Sequence, residues 1–450
     1  MQNYKEYFKN KKVTIMGLGL LGGALNDAIF LAECGAVLTI TDLKSSSELR
    51  PSLRKLGKYK DIKYTLGEHK LEDFKNKDFI LQPGNVPVDS PYLQEARKNN
   101  IPIHESESLF FANLPEDVKT IGVTGTRGKT TTTKLIYQIL ELAWGKKVHL
   151  AGNVQGKSTL ALLKNIKSGD TVVLELDSWC LHGMGEIKKS PQISVFTNLM
   201  PDHLNFYLKN SKDQNEAMQK YFMDKAQIYL HQKPEDYLIC GEKIAKQIGK
   251  VKSQKIVVGK NLIPKNWKIK VPGEHNLENI ACAIAVARVL KINEKIIKKA
   301  VENFAGVEGR LQLLKNYKGI KIYNDTTATT PEATIMALRA LGQINQGEPL
   351  INRRIILICG GADKGLDTSG LAKEISRYCK SVILLNGSGS DKLTINAIRC
   401  GSLKIAVEKA IKECKKGDIS LFSPAFASFG MFRNEYDRGD QFNKIVKNLK

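Results

Sequence analysis

The sequence predicts an α/β protein of three domains, each built on a largely parallel sheet. Three short apolar runs (Val13–Met16, Thr120–Thr124 and Arg354–Cys359) each enter a glycine turn. Strand-like and helix-like segments alternate around them, the pattern of parallel sheets covered on both faces. With 450 residues there is enough chain for two to four domains, each with its own core.

In the first segment, Val13–Met16 leads into Gly17-Leu-Gly-Leu-Leu-Gly-Gly23, a helical stretch over about 24–34 and a second strand at Val37–Thr41. The second runs from Thr120–Thr124 through another glycine turn into a helix reaching about Ala143. In the third, Arg354–Cys359 enters Gly360-Gly-Ala-Asp-Lys-Gly365, with later strands expected at 381–385 and 419–422. Linkers are expected at 111–116 and 306–310, so the domains are drawn at 1–113, 114–308 and 309–450. Lys209–Asn215 reads as a polar surface loop, and no fixed-period repeat or low-complexity tract is visible.

Composition excludes several classes. At 42% hydrophobic and 26% charged residues the chain has an ordinary globular balance. It carries no apolar run of bilayer length, so no membrane insertion is expected. The polar, basic stretch Met1–Lys12 does not read as a secretory signal. Eight scattered cysteines without a CxxC pair point to reduced thiols, a cytoplasmic location and no zinc site. The net charge of +23 is spread along the chain with no basic block or interleaved aromatics. That favours anionic small-molecule substrates over nucleic acid.

Gly125-Thr126-Arg127-Gly128-Lys129-Thr130-Thr131 sits between a strand and a helix, the setting of a nucleotide-phosphate site. Its glycines let the backbone approach phosphate oxygens, Lys129 can neutralise the β- and γ-phosphates, and the Thr130 hydroxyl can ligate Mg²⁺. The first glycine-to-glycine spacing is two residues shorter than in the common GxxxxGK[ST] loop. The bland alternative is a glycine turn followed by a chance Lys-Thr. A metal there needs an acidic partner, and Val172–Leu176 delivers Glu175 to the carboxyl-terminal sheet edge, with Asp177 just beyond. Ile193–His203 brings Asp202 and His203 to the same edge. Asn276 and Asn279 fall three apart at a helix start, placed to grip a nucleotide or, for Asn276, to cap the helix.

Gly17-x-Gly19-x-x-Gly22 is an unbroken dinucleotide fingerprint, with Asp42 at the end of the second strand where a ribose-binding acid is expected. Read alone it suggests an NAD-dependent dehydrogenase. A hydride-transfer enzyme has no need of the second phosphate loop, and any diphosphate fits the same geometry. Gln82-Pro-Gly-Asn85 would add another turn at that edge.

Taken in order, these elements resemble the Mur ligase family of ATP-dependent amino-acid ligases. The matching stretches are GTRGKTTT (125–132), LELDSW (174–179), TNLMPDHL (197–204), GEHNLEN (273–279), NDTTATTPEAT (324–334), GGADKG (360–365) and SPAFASFGMFRNEYDRGDQF (423–442). The resemblance implies a Rossmann-like amino-terminal domain for a UDP substrate, a central P-loop ATPase-type parallel-sheet domain for ATP and a Rossmann-like carboxyl-terminal domain for the amino acid. It is nearest to the glutamate-adding branch. The small-molecule substrates it implies are UDP-N-acetylmuramoyl-L-alanine and glutamate, the D form expected and the L form open. A monomer is implied.

The resemblance assigns roles residue by residue. Lys129 and Thr130 would hold the ATP phosphates and a first Mg²⁺, with Glu175 as carboxylate ligand. His203 would serve a second Mg²⁺, together with Lys225 as a carbamate, an anionic oxygen donor made from an amine. From sequence alone Lys225 reads as a solvated helix residue. Asn279, Arg310 and Asp325 match nucleotide positions, and Thr329, Lys364, Ser428 and Phe429 belong to the amino-acid site. Asn153 and Asp177 match positions near the muramoyl group. Gly17, Gly19, Leu20, Asp42, Lys44, Pro83, Gly84 and Asn85 would face the diphosphate and uridine.

Some positions depart from the family pattern. Arg127 stands where Asn is common, Thr327 where Lys is expected, Cys180 and His182 in a usually Gln-containing stretch, and Gly309 where His precedes Arg310. The 209–215 stretch resembles an insertion. A folylpolyglutamate synthase-like ligase would share the phosphate loop without needing the 17–23 turn. Sibling Mur ligases would differ in the amino acid added, and a nucleic-acid-dependent ATPase would be stimulated by DNA or RNA.

Overall fold

The structure, a computed structural model, describes residues 4–19, 22–84, 86–87, 89–153, 158–202, 204–209, 211–342 and 354–449. It contains three sheets. In the first, β1 (Lys12–Met16), β2 (Val37–Asp42), β3 (Lys63–Leu66), β4 (Phe79–Leu81) and β5 (Ile103–His104) are all parallel, in the order β3-β2-β1-β4-β5. The order reverses between β1 and β4, so the crevice at their carboxyl ends is where such a sheet receives a ligand. Apart from Lys12 and Val37 at their starts, β1 and β2 are buried along their length, as their apolar runs predict for strands covered on both faces. The helix Gly23–Glu33 presses Leu25, Ala28, Phe30 and Leu31 onto one face. Phe8 and Phe30 are fully buried there, each contributing about 1.5–3 kcal/mol by leaving water.

The second sheet is also parallel throughout. It holds β6 (Lys119–Thr124), β7 (Val148–Gly152), β8 (Thr171–Glu175), β9 (Ile193–Phe196), β10 (Tyr237–Gly241) and β11 (Gln254–Val258), ordered β11-β10-β9-β6-β8-β7. Strand β6 lies between β8 and β9, so the loop after β6 emerges beside the ends of both.

The third sheet comprises β12 (Gln312–Tyr317), β13 (Ile320–Asn324), β14 (Ile355–Cys359), β15 (Cys379–Leu385), β16 (Ile398–Cys400) and β17 (Ile419–Phe422), ordered β12-β13-β17-β14-β15-β16. It departs from an all-parallel expectation at one edge, where β12 pairs antiparallel with β13. Only the two-residue turn at Lys318 and Gly319, both at positive φ, separates these strands, too short for a parallel crossover.

By its contacts the chain falls into two compact units. Met1–Ile263 with Glu278–Ile297 holds the first two sheets, and Pro264–Leu277 with Lys298–Lys450 holds the third. Three expectations need correction. The linker drawn at 111–116 begins inside a helix, Ser106–Asn113, because Phe110 and Phe111 pack into the core. The polar segment 209–215 is short: Asp213 caps the helix Gln214–Leu230 by accepting from the Glu216 N–H. Asn276 lies inside the helix Glu274–Val289, its amide donating back to the Pro272 carbonyl, so it is not the cap. Among the described residues no helix is long and apolar enough to cross a membrane.

Candidate active site

The loop after β6 is shaped by close approach. Gly125 and Gly128 have φ of 145° and 82°, a region open to glycine. A Cβ on Gly125 would collide with Thr197 Oγ1, and one on Gly128 with the Asn279 amide. Asn279 therefore lies against the loop. The helix Lys129–Trp144 opens directly from Gly128, so its N-terminus lies at the carboxyl-terminal end of β6. Lys129 Nζ donates to the carbonyls of Gly125 (3.0 Å) and Thr126 (3.3 Å). Glu175 ends β8 in register with Val123 and accepts from the Thr130 hydroxyl at 3.0 Å. A hydroxyl and a carboxylate this close form a hard-oxygen donor pair suited to Mg²⁺.

Lys225 is almost fully buried on the helix Gln214–Leu230. Its Nζ donates to the Gly125 carbonyl at 3.1 Å and sits 4.8 Å from the Tyr221 ring centre. Burial, reinforced by the Lys129 charge, pulls its pKa down to about 7. The sequence reading of a solvated lysine is thus overturned: the side chain points inward under the loop. Sequence reasoning also missed Tyr221, whose hydroxyl is 3.3 Å from Thr126 Oγ1, and Asn198, which brackets Arg127 from both backbone sides. Arg127 itself pairs with Asp202, Nη1 to Oδ2 at 3.7 Å. His203 lies outside the described residues.

At the amino-terminal turn, Asp42 Oδ2 accepts from the N–H groups of Leu18 (2.8 Å) and Gly19 (3.0 Å), and Oδ1 from that of Lys44 (2.8 Å). The carboxylate expected to grip a ribose thus bonds to the backbone of the glycine turn after β1 and to Lys44, two residues on from itself. Gly17, at φ 83°, faces Pro83: a Cβ there would lie 3.5 Å from the proline ring. The two turns named from the sequence therefore meet across the β1/β4 crevice. Gly84 packs so closely on Trp179 that a Cβ would fall 2.5 Å from the Trp179 Cβ. Leu20 and Asn85 are outside the described residues. Asp177 caps the helix Ser178–Glu186 through the Trp179 and Cys180 N–H groups, and Asn153 Nδ2 reaches its Oδ2 at 3.4 Å. The structure thus brings together the two residues assigned to the muramoyl end.

Between these turns and the helices of the second sheet lies a cavity of ≈ 250 Å³, lined by Gly84, Glu105, Trp179, His182, Tyr207 and Asp224 among others. His182 is 3.0 Å from Asp224, and that hydrogen bond raises its pKa to about 9. Glu105, buried at the seam, is pushed up to about 8 by desolvation.

In the other unit, Asp325 is buried, accepts from the Leu311 N–H and the Ser423 hydroxyl, and is raised to about 7 by burial. Arg310 belongs to the turn that precedes Leu311 and is exposed. Lys364 Nζ reaches the Thr329 hydroxyl at 3.1 Å, so two of the expected amino-acid contacts adjoin. Ser428 is buried, while Phe429 is 67% exposed. The departures Thr327 and Gly309 are bonded to each other: both the hydroxyl and the N–H of Thr327 donate to the Gly309 carbonyl. Arg438, fully buried within the 423–442 stretch, donates to Thr326 and to the Phe426 carbonyl, tying together the loops that carry Asp325 and Ser428. Its motif was visible in the sequence, but its bonds to Thr326, 112 positions away, were not.

Residues 123–266 match the Mur ligase middle domain and residues 309–426 the Mur ligase glutamate ligase domain. The chain is 36% identical to UDP-N-acetylmuramoylalanine--D-glutamate ligase of Roseiflexus sp. (strain RS-1), over 98% of this chain and 99% of that one. It is 34% identical to the enzyme of the same name from Borreliella burgdorferi (strain ZS7), over 98% of each. Among solved structures, UDP-N-acetylmuramate-alanine ligase from Thermotoga maritima has the same fold at 20% identity, with a TM-score of 0.59 covering 98% of this chain and 100% of that one. Similarity from end to end with relatives above 30% identity settles the lineage: the chain belongs to the Mur ligase family, the ATP-dependent amide-forming ligases.

Proposed function

We propose that this chain adds D-glutamate to UDP-N-acetylmuramoyl-L-alanine, with ATP consumed through an acyl phosphate, in peptidoglycan precursor synthesis. The observation that carries the reading is the convergence of Lys129, the Thr130–Glu175 pair and the buried Lys225 on one glycine loop, in a chain aligned end to end with relatives of that name.

On this reading the 125–131 loop cradles the phosphates, and Asn279, Arg310 and Asp325 serve the nucleotide. Thr130, Glu175, His203 and Lys225 as a carbamate would hold two Mg²⁺ ions, which would supply positive charge to lower the barrier between anionic reactants. The L-alanyl carboxylate attacks the γ-phosphorus, the bond to the ADP oxygen breaks, and an acyl phosphate forms. Lys129 offsets charge on the β- and γ-phosphate oxygens. The glutamate amine then attacks the acyl carbon, loses a proton, and phosphate departs. Lys364, Thr329, Ser428 and Phe429 orient glutamate for that attack, where correct placement lowers the barrier by several kcal/mol, up to roughly 7–11. Gly17, Gly19, Leu20, Asp42, Lys44, Pro83, Gly84 and Asn85 serve the UDP end, and Asn153 and Asp177 the muramoyl end. The enzyme works as a cytoplasmic monomer, without nucleic acid. Domain limits of 1–113, 114–308 and 309–450 belong to the same proposal.

Phosphate release is measured with ATP, Mg²⁺, UDP-N-acetylmuramoyl-L-alanine and each amino acid, both glutamate enantiomers included. Release with D-glutamate alone is expected, and no release with any amino acid overturns the reading. For Lys225, the Lys225→Ala variant is expected to be inactive and to recover with short-chain carboxylic acids. Full activity without additives would remove the carbamate from the scheme.

A further inference from the structure

Arg127 occupies the middle of the phosphate loop, where the family commonly has Asn. Its backbone is clamped: the N–H donates to Asn198 Oδ1 at 2.9 Å, and the carbonyl accepts from Thr197 Oγ1 at 2.7 Å and Asn198 Nδ2 at 3.1 Å. These bonds leave the loop little freedom to choose where the side chain departs. The side chain is 45% exposed and meets Asp202 at 3.7 Å. The segment that carries Asp202 lies against the same loop: the Met200 carbonyl accepts from the Thr126 hydroxyl at 3.1 Å, and the Met200 N–H donates to it at 3.0 Å. A half-exposed ion pair at that separation holds weakly. A guanidinium can meet a phosphate group with two parallel hydrogen bonds, which its contact with Asp202 at 3.7 Å does not supply.

We propose that Arg127 is a further catalytic residue of this chain: its guanidinium exchanges Asp202 for the terminal phosphate of the nucleotide. This rests on the functional reading above. Lys129 approaches from the helix side of the loop and Arg127 from its rim, so the γ-phosphate is met by two cations. In the transfer the attacking carboxylate oxygen forms a bond to phosphorus as the bond to the ADP oxygen breaks, and ADP leaves with that electron pair. Arg127 moves no proton; it stabilises charge on the phosphoryl oxygens in flight. The plainer alternative is a surface tether that merely steadies the 198–202 segment.

The two differ in which nucleotide they affect. Equilibrium binding of ADP and of a non-hydrolysable ATP analogue, each with Mg²⁺, is measured by calorimetry on the full chain, its Arg127→Asn variant and its Arg127→Lys variant. Arg127→Asn is expected to weaken the triphosphate analogue by about tenfold or more, as for loss of a charged hydrogen bond, and ADP by less than about twofold. Arg127→Lys keeps the charge without the fork and falls between, which also guards against a misfolded Asn variant. In turnover, kcat falls while the KM for the UDP-sugar holds. Equal losses for both nucleotides, or none for either, overturn the proposal. A wild-type chain that binds neither nucleotide overturns the functional reading itself, and the role of Arg127 with it.

Discussion

The chain leaves a buried strand for a helix through a glycine-rich stretch twice, after β1 and after β6, and sets different ionisable groups around the two. Each is a glycine turn leaving a buried strand and opening a helix, at Gly23 and at Lys129. Around the first lie acids: Asp42 bonded into the turn, and Asp27, Glu105 and Glu107 buried nearby with pKa values raised by desolvation. Around the second lie basic residues, with Lys129 and Lys225 both bonded to the Gly125 carbonyl and Arg127 on the rim. A helix start of this kind suits an anion. On the proposed function, the first turn would hold the diphosphate of the UDP-sugar and the second would make the ATP phosphates reactive.

The largest effect should come from removing a cation at the second turn. Lys129→Ala is expected to lower turnover by on the order of 10²–10³-fold, the loss seen when one preorganised donor to developing charge is removed. UDP-sugar affinity, measured by calorimetry, should stay within about twofold. If both fall together, the two turns are not chemically separate and the comparison fails.

The glycines give the next contrast. Gly128→Ala places a methyl group on the Asn279 amide and puts alanine at φ 82°, so the loop must move and ATP binding should be lost. At Gly19, φ 60°, nothing lies within 4 Å of the added Cβ. Gly19→Ala therefore carries only the backbone strain of roughly 1–2 kcal/mol. Thermal melts and nucleotide binding on the two variants check this. A Gly128→Ala chain that binds ATP normally would mean that Asn279 gives way freely.

Much of this was legible before the structure. Val13–Met16, Thr120–Thr124 and Ile419–Phe422 stand within a residue of β1, β6 and β17, because apolar runs ending in turn residues are local signals. The pairing of Glu175 with the loop followed from its place at the end of a strand. What stayed hidden depends on residues far apart in the chain. Nothing near Lys225 announces that its helix turns it under a loop 100 positions away. The Asp202 partner of Arg127, the bond between Thr327 and Gly309, and the clamp made by Arg438 are hidden for the same reason. The half-exposed edge strand β12 lacks the apolar run that marks its neighbours, which is why the antiparallel edge was not foreseen.

At Asp42 a moderate effect is expected. Its Oδ2 accepts two backbone N–H groups and its Oδ1 a third. In Asp42→Asn an amide nitrogen must face at least one of those donors. Loss of a charge-assisted bond of this kind costs about 1.5–3 kcal/mol. The cost should appear as weaker UDP-sugar binding with ATP affinity unchanged. An unchanged UDP-sugar affinity would mean that the turn keeps its shape without the carboxylate.

The smallest effect concerns the buried acids themselves. Glu105 is raised from 4.5 to about 8 by burial, so the folded state keeps a proton that the unfolded state releases. Between those values the folded chain binds more protons than the unfolded one, and stability contributed by the protonated group falls as pH rises. That contribution is whole below the unfolded pKa and is lost as pH climbs through about 8. Glu105→Gln copies the neutral carboxyl and cannot ionise, so its stability should fall less steeply with pH than wild type between roughly pH 5 and 8. Lys225 slopes the other way. Lowered to about 7 in the folded chain, it makes stability rise with pH from about 7 toward its ordinary value of 10.5, because there the unfolded chain binds the extra proton. Chemical denaturation of wild type and Glu105→Gln between roughly pH 5 and 8 reads the Glu105 slope as the difference between the two curves. Parallel curves for the two proteins would show that Glu105 is ionised in the fold.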